Sequence, residues 1–407
     1  MVYITMEDRM SFIGVVCEYN PFHNGHAYHL RESRSQLGDQ GVVCVMSGDF
    51  VQRGEAALFD KFARARAAVH CGADLVFELP LPWSLASAER FGRGAVGLLG
   101  ALGADWLSFG AECDDLVILQ SLARCLNKPE TLTAIRAMMA QDATLSFAAA
   151  RQRVLEQLRP GCAALLETPN NILAVEYCKA IDSLGLSMRP FALRREGSAH
   201  DAAGEGPLRS ASEIRGLLRD GLDVSAFLPA AAAAVFEQDR QAGRGIVSQE
   251  RIETALLSRL RALESGAFAA VPDGGGGLSE RLIPAAAAEP TLQAVCDKVK
   301  NKRLAMSRVR RACLCAALGV ESGMAEKPVP YARLLAANER GRALLAGMKK
   351  SASVPILTKP AAIRQADEWS QRVFALGAKA HDLYVLGYPE AEQRRGDADW
   401  RTGPVIL

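Results

Sequence analysis

Between Ser11 and Gly110, short runs that are apolar throughout alternate with longer segments whose apolar residues recur at helical spacing. The runs are Ser11–Cys17, Gly41–Met46, Asp74–Glu78 and Asp105–Phe109, and the helical segments are Asn24–Leu37, Leu58–His70 and Leu85–Leu102. A strand that is apolar at every position has both faces covered, which is how strands of a parallel sheet crossed by helices read. The pattern predicts an α/β fold: a doubly wound, Rossmann-like parallel sheet that takes its ligand outside the carboxyl ends of the strands.

The remainder reads differently. Asp114 to about Leu158 is helical, Met188–Leu193 returns to the sheet, and the chain after Arg215 is mainly helical with Ala-rich stretches. Val271–Gly277, together with Pro284–Pro290, reads as a flexible loop or linker. The expected division is residues 1–220 as the α/β unit and residues 221–407 as a mainly helical, basic region. Residues 1–10 precede the first strand and carry no motif.

A chain of 407 residues can bury a large core without disulfides. Its 10 cysteines are scattered and form no CxxC pair, as expected of small buried hydrophobes in a reduced, cytoplasmic setting. No run approaches the ~20 apolar residues of a membrane span, and no membrane partner is expected. The net charge of +2 excludes a histone-like protein. It conceals an imbalance, because residues 301–350 hold eleven Lys or Arg against three Glu. Such a cluster suits either a solvated helix face or a surface that tracks nucleic-acid phosphates.

The densest chemical signal is Glu18-Tyr-Asn-Pro-Phe-His-Asn-Gly-His26, at the turn from the first strand into the first helix. Backbone N–H groups at a helix start attract anions, and Gly25 permits close approach of a nucleotide. Two imidazoles in one turn, His23 and His26, can stabilise charge on a departing pyrophosphate. The spacing is not the i, i+4 pattern of zinc-protease helices, so no metal ligands are assigned. Gly92-Arg-Gly-Ala-Val-Gly97 spells a dinucleotide fingerprint but follows a helical stretch rather than a strand, so close helix packing is its expected role.

His-x-Gly-His after a first strand resembles the nucleotidyltransferase superfamily, whose later Ser/Thr-x-x-Ile-Arg element has a counterpart in Ser210-Ala-Ser-Glu-Ile-Arg215. A narrower resemblance rests on the ordered set of Glu18–His26, Met46–Gly54, Asp74–Pro80, Pro169–Leu173, Arg308–Val320, Tyr331–Leu335 and Pro355–Lys359. Together these are similar to the bacterial tRNA(Met) cytidine acetate ligase family. The resemblance implies that acetate is activated with ATP as acetyl-adenylate. The acetyl group then passes to the wobble cytidine of elongator tRNA(Met), giving N4-acetylcytidine. Mg2+ is expected with ATP, held by phosphate oxygens and water. Rival readings are a nucleotidyltransferase acting on a small molecule and a non-catalytic RNA-binding protein.

The resemblance also implies the site residues. Val16, Cys17, Glu18, Tyr19, Asn20, Pro21, Phe22, His23, Asn24, Gly25, His26, Ala27, Tyr28 and His29 would wrap the ATP, with His23 and His26 facing the phosphates. Gly110, at the end of the fourth strand, leaves room for adenine or ribose, and one of Asn170 and Asn171 would contact the nucleotide. Ser210 and Arg215 face phosphate, and Arg195 serves the phosphates or the mixed anhydride, with Arg194 as its alternative. RNA contacts are expected from Arg303, Arg308, Arg310 and Arg311. Gln52 and Arg53, after the second strand, and Lys61, Arg64 and Arg66 on the next helix either lie near the RNA entrance or, for the helix, form a solvated basic face.

Overall fold

The structure is a computed structural model that describes residues 11–142, 144–195 and 209–407. The segment 1–10 therefore lies outside the described residues. The strands in chain order are β1 (Phe12–Cys17), β2 (Gly41–Ser47), β3 (Phe50–Val51), β4 (Glu55–Ala56), β5 (Leu75–Leu79) and β6 (Trp106–Ala111). They continue with β7 (Arg189–Arg194), β8 (Ala332–Ala337), β9 (Ile356–Leu357) and β10 (Val405–Ile406). The main sheet runs β10-β8-β5-β2-β1-β6-β7, with β9 paired to β8, while β3 and β4 form a separate antiparallel hairpin. All four strands expected between Ser11 and Gly110 are present and mutually parallel.

Helices α1 (Asn24–Gln36), α2 (Lys61–His70), α3 (Leu81–Ser84) and α4 (Ala88–Leu102) link the early strands. After β6 come α5 (Leu116–Asn127), α6 (Pro129–Gln141), α7 (Phe147–Leu158) and α8 (Pro169–Ser183), and α9 (Ala211–Arg219) follows β7. The starts are chemically marked: Asp60 caps α2, Asp115 caps α5, and Ser210 forms a capping box with Glu213 on α9. The fingerprint-like glycines lie inside α4. A Cβ on Gly94 would stand 2.3 Å from Trp83 Cδ1, and one on Gly92 3.3 Å from Tyr177, so these glycines serve close helix packing as expected.

The last part of the chain is helical as expected: α10 (Ala230–Gln241), α11 (Gln249–Ala262), α12 (Ser265–Ala269), α13 (Leu278–Ala288), α14 (Leu292–Val299) and α15 (Met306–Leu318). It continues with α16 (Glu339–Ser351), α17 (Glu368–Tyr384) and α18 (Ala398–Arg401). Two expectations need correction. The stretch from Pro284 is not linker, because Pro284 sits within α13, where Leu278, Leu282, Ala285 and Ala286 join a buried cluster. The helical region also returns to the sheet. β8 adds antiparallel to β5, and β10 then adds parallel to β8, making the sheet mixed. Ala-Arg-Leu-Leu-Ala-Ala lacks the β-branched residues that mark a strand, yet all six positions are buried, because tertiary covering outweighs weak propensity.

Beneath β2, β5 and β8 lies a buried ionic cluster. Lys61 Nζ donates to Asp399 Oδ2 at 2.6 Å and Glu78 Oε1 at 2.9 Å, and Arg333 Nη1 reaches the same two carboxylates at 2.9 and 3.1 Å. Asp49 Oδ2 lies 3.8 Å from Lys61 and 2.7 Å from His381 Nδ1. Lys61 is therefore held inside an ionic cluster and offers RNA no surface. The same holds for Arg64, wholly buried, which donates to the carbonyls of Glu18, Ser47, Gly48 and Phe59 and so ties the ends of β1 and β2 together. Arg66 lies 3.4 Å from Asp239, whereas Arg53 is exposed and Gln52 half-buried.

Candidate nucleotide site

β1, β2, β6 and β7 end on the same side, and the expected nucleotide residues gather there. Val16 and Cys17 close β1, Glu18–Phe22 form the following loop, and His23–His29 occupy the N-cap and first turns of α1. Tyr19 takes a left-handed φ of +47° and packs its ring edge-on to Phe22 and His26, at centroid distances of 4.7 and 4.8 Å. The loop is thus a built cradle for His26. Asn20 anchors it by accepting the Leu58 N–H at 2.9 Å.

The two motif histidines form the helix cap themselves. His23 Nδ1 accepts from Gly25 N–H at 3.1 Å, His26 Nδ1 accepts from His23 N–H at 3.2 Å, and the rings stack at 3.6 Å. With both Nδ1 atoms acting as acceptors, the proton of each neutral ring resides on Nε2. A Cβ at Gly25 would stand 3.0 Å from His23 Cε1, tight against the capping ring. One turn further on, His29 Nε2 meets Ser108 Oγ at 2.9 Å, and Ser33 completes the chain at 2.7 Å. Burial, with Arg195 adding, pushes His23 down to about 3 and His29 to about 4, and holds His26 well below its ordinary value. All three are neutral imidazoles near pH 7.

Arg195 rather than Arg194 belongs to this group. Its Cγ would lie 3.3 Å from a Cβ on Gly110, so Gly110 lets Arg195 cross the end of β6 toward the histidines. Arg215, on α9, donates to the Asn20 carbonyl at 3.1 Å, while the Ser210 hydroxyl is taken by its own cap. Asn170 and Asn171 open α8. Asn171 is buried and accepts the Cys113 N–H at 2.9 Å, whereas Asn170 is half-buried and donates to Glu112 Oε1 at 2.6 Å. Glu112 also accepts the Asn171 N–H, and these hydrogen bonds hold its carboxyl below the usual range against the opposing effect of burial.

Sequence reasoning missed Glu112, Ser108 and Glu55. Glu112 stands directly beyond β6 at the carboxyl edge, a position that could have flagged it. The four arginines expected to contact RNA differ in their engagement, three of them lying on α15. Arg303 is exposed, Arg308 donates to the carbonyls of Asp273 and Gly275, and Arg310 pairs with Glu55 at 2.8 Å. Arg311 approaches the Gln52 carbonyl at 3.5 Å.

A capped His-x-Gly-His turn beyond a parallel sheet defines a chain of the nucleotidyl-transfer class. The family model described as HIGH Nucleotidyl Transferase matches residues 10–399. The tRNA(Met) cytidine acetate ligase of Syntrophotalea carbinolica is 40% identical over 86% of this chain and 85% of its own length. That of Halothermothrix orenii is 33% identical over 98% and 99%. The crystal structure of Thermotoga maritima TmcAL bound with alpha-thio ATP superposes with a TM-score of 0.92 at 33% identity, covering 98% of this chain and 100% of that one. The chain belongs to the tRNA(Met) cytidine acetate ligase family. No helix among the described residues is long and apolar enough to cross a membrane.

Proposed function

We propose that this protein activates acetate with ATP and transfers the acetyl group to the wobble cytidine of elongator tRNA(Met), forming N4-acetylcytidine in the cytoplasm. The observation that carries this reading is the stacked, neutral His23–His26 pair at the start of α1, flanked by Arg195 and Arg215. The two Nε2–H groups are donors for phosphate oxygens, and the helix N-terminus adds its own positive field. Arg195 and Arg215 supply full charges at the same place. The loop Val16–His29 wraps the nucleotide, Gly110 gives Arg195 rather than adenine or ribose the room to reach it, and Asn170, half-buried where Asn171 is buried, is the better nucleotide contact of the asparagine pair.

In the first step an acetate oxygen bonds to the α-phosphorus of ATP while the bond to pyrophosphate breaks. No proton moves, so positioning and charge neutralisation dominate. In the second step the cytidine amine attacks the acetyl carbon, AMP departs, and the amine sheds a proton. Mg2+ would accompany the phosphates. Among the described residues no three His, Cys, Asp or Glu are grouped to hold a metal, so no protein ligand is assigned to it.

We assign adenylation to residues 1–220 and RNA contact to residues 221–407, a division of task rather than of folding unit, because β8–β10 complete the sheet. The test is incubation with ATP, labelled acetate and bulk tRNA. Label in elongator tRNA(Met) is expected. Nucleotide transfer to a small molecule with unlabelled RNA would overturn the reading.

A further inference from the structure

Glu55, the first residue of β4, stands between two arginines from distant parts of the chain. Its Oε1 accepts from Arg310 Nη1 at 2.8 Å, and its Oε2 lies 3.9 Å from Arg215 Nη2. Arg310 is steadied by a second bond, from Nη2 to Gln293 Oε1 at 3.0 Å. Arg215 in turn donates to the Asn20 carbonyl of the nucleotide loop. A parallel route runs through the same hairpin: Arg311 approaches the Gln52 carbonyl, and the Gln52 N–H donates to Glu18 Oε1 at 2.9 Å. At the hairpin tip, Gly54 has φ +78°, and a Cβ there would be 2.8 Å from both Arg310 Cβ and Arg311 N. Helix α15 is thus pressed against the β3–β4 hairpin, which bonds Glu18 directly through the Gln52 N–H and reaches Asn20 only through Arg215.

We propose that Glu55 and Arg310 are positioning residues for the nucleotide site: Arg310 fixes the Glu55 carboxylate, and Glu55 holds the Arg215 guanidinium in place. Arg310 then acts on adenylation with no RNA present, in addition to any RNA contact made by α15. This rests on the proposed function of the site. Arg215 is a long side chain, only 13% exposed, whose aim is set by few partners. Without the carboxylate it keeps one bond to a loop carbonyl and gains rotamer freedom, which lowers the fraction of molecules presenting it correctly. Glu55 and Arg310 are 24% and 32% exposed, so water partly screens their pair and its loss costs a modest amount of stability, read separately by urea unfolding. The positioning effect belongs in nucleotide affinity.

The experiment is acetate-dependent ATP–pyrophosphate exchange without RNA, on wild type, Glu55→Gln, Arg310→Gln, Arg310→Lys and the Glu55→Gln/Arg310→Gln double variant. KM for ATP should rise about tenfold in each Gln single variant while kcat stays within about threefold. The double variant should be no worse than either single, and Arg310→Lys should recover part of the loss. Unchanged exchange kinetics in Arg310→Gln, or losses that add in the double variant, would overturn the inference. If wild type shows no acetate-dependent exchange, the proposed function fails on its own. The ATP dissociation constant then decides: a tenfold weakening in both single variants supports the positioning role, and unchanged binding refutes it.

Discussion

His26 accepts the backbone N–H of His23 through Nδ1 at 3.2 Å, so the second motif histidine caps the first. Because His23 caps Gly25 in the same way, the motif is a helix cap built from imidazoles, each with its Nε2–H left for a ligand. Structure and chemistry are separable here. A cap contributes about 1 kcal/mol, whereas loss of a donor to developing charge costs on the order of 10²-fold in rate.

His26→Ala should therefore slow acetate-dependent ATP–pyrophosphate exchange on the order of 10²-fold, while lost cap and lost ring packing together lower stability by about 1–3 kcal/mol. His23→Asn keeps a good N-cap residue and loses only the stacked ring, so it should be closer to wild type in stability than His26→Ala yet similarly slow. Exchange rates read beside urea unfolding test both. Exchange within tenfold of wild type in His26→Ala would remove the Nε2 donors from the mechanism.

The same burial sets a pH response. Unfolded histidine protonates near 6.5, whereas His23 and His29 resist until about 3 and about 4. The unfolded chain binds more protons in that interval, so the folded state loses stability as pH falls from about 6.5 toward 4. A bound polyphosphate opposes this, because its negative charge favours protonated rings. Melting temperature should drop between about pH 6.5 and 5 without ATP, and ATP should stabilise more strongly at the acid end of that range. A flat profile with no differential effect of ATP would contradict the buried-neutral assignment.

Beyond the end of β2 the sign reverses. Asp49 and Asp399 beside His381 raise it to about 8, against the opposing effect of burial. Its contribution is complete below the unfolded value near 6.5 and disappears as pH rises through about 8. His381→Gln should remove that alkaline loss. Asp399→Asn leaves Lys61 and Arg333 buried and short of a counter-charge, and should cost about 3–5 kcal/mol in urea unfolding. A cost below about 1 kcal/mol would mean that water reaches the cluster.

These residues also show where sequence reading stops. The His23–His26 turn was legible because its partners are neighbours in the chain and its chemistry is local. Lys61 was not. Its main counter-charge, Asp399, lies 338 positions away, and a lysine on a helix with nearby arginines has the same local pattern whether solvated or entombed. β8 was hidden for a related reason, since Ala and Leu carry little strand preference and its neighbours β5, β9 and β10 make it one. Arg310 looked like part of a basic surface because nothing local to it reveals Glu55.

The basic segment is divided by these pairings. Arg333 is buried in the ionic cluster, Arg340 pairs with Asp39, and Arg308 and Arg310 are held by Asp273, Gly275 and Glu55. Exposed Lys302 and Arg303 precede α15, whereas exposed Arg342, Lys349 and Lys350 lie on α16. A Cβ on Gly41, at the amino end of β2, would meet Leu344 of α16 at 2.4 Å, which sets that helix at the opposite edge of the sheet from His23. A tRNA engaged at the nucleotide site should therefore feel Lys302 and Arg303 more than the α16 cations. Lys302→Gln/Arg303→Gln should weaken tRNA binding and reduce the slope of log affinity against log salt by about two, one for each lost phosphate contact. Arg342→Gln/Lys349→Gln, which removes the same charge, should change the slope by less than about half a unit. Filter binding across a salt series measures both slopes. Equal slopes for the two variants would show long-range attraction without contact, and a larger effect from the α16 pair would place the RNA on the other edge.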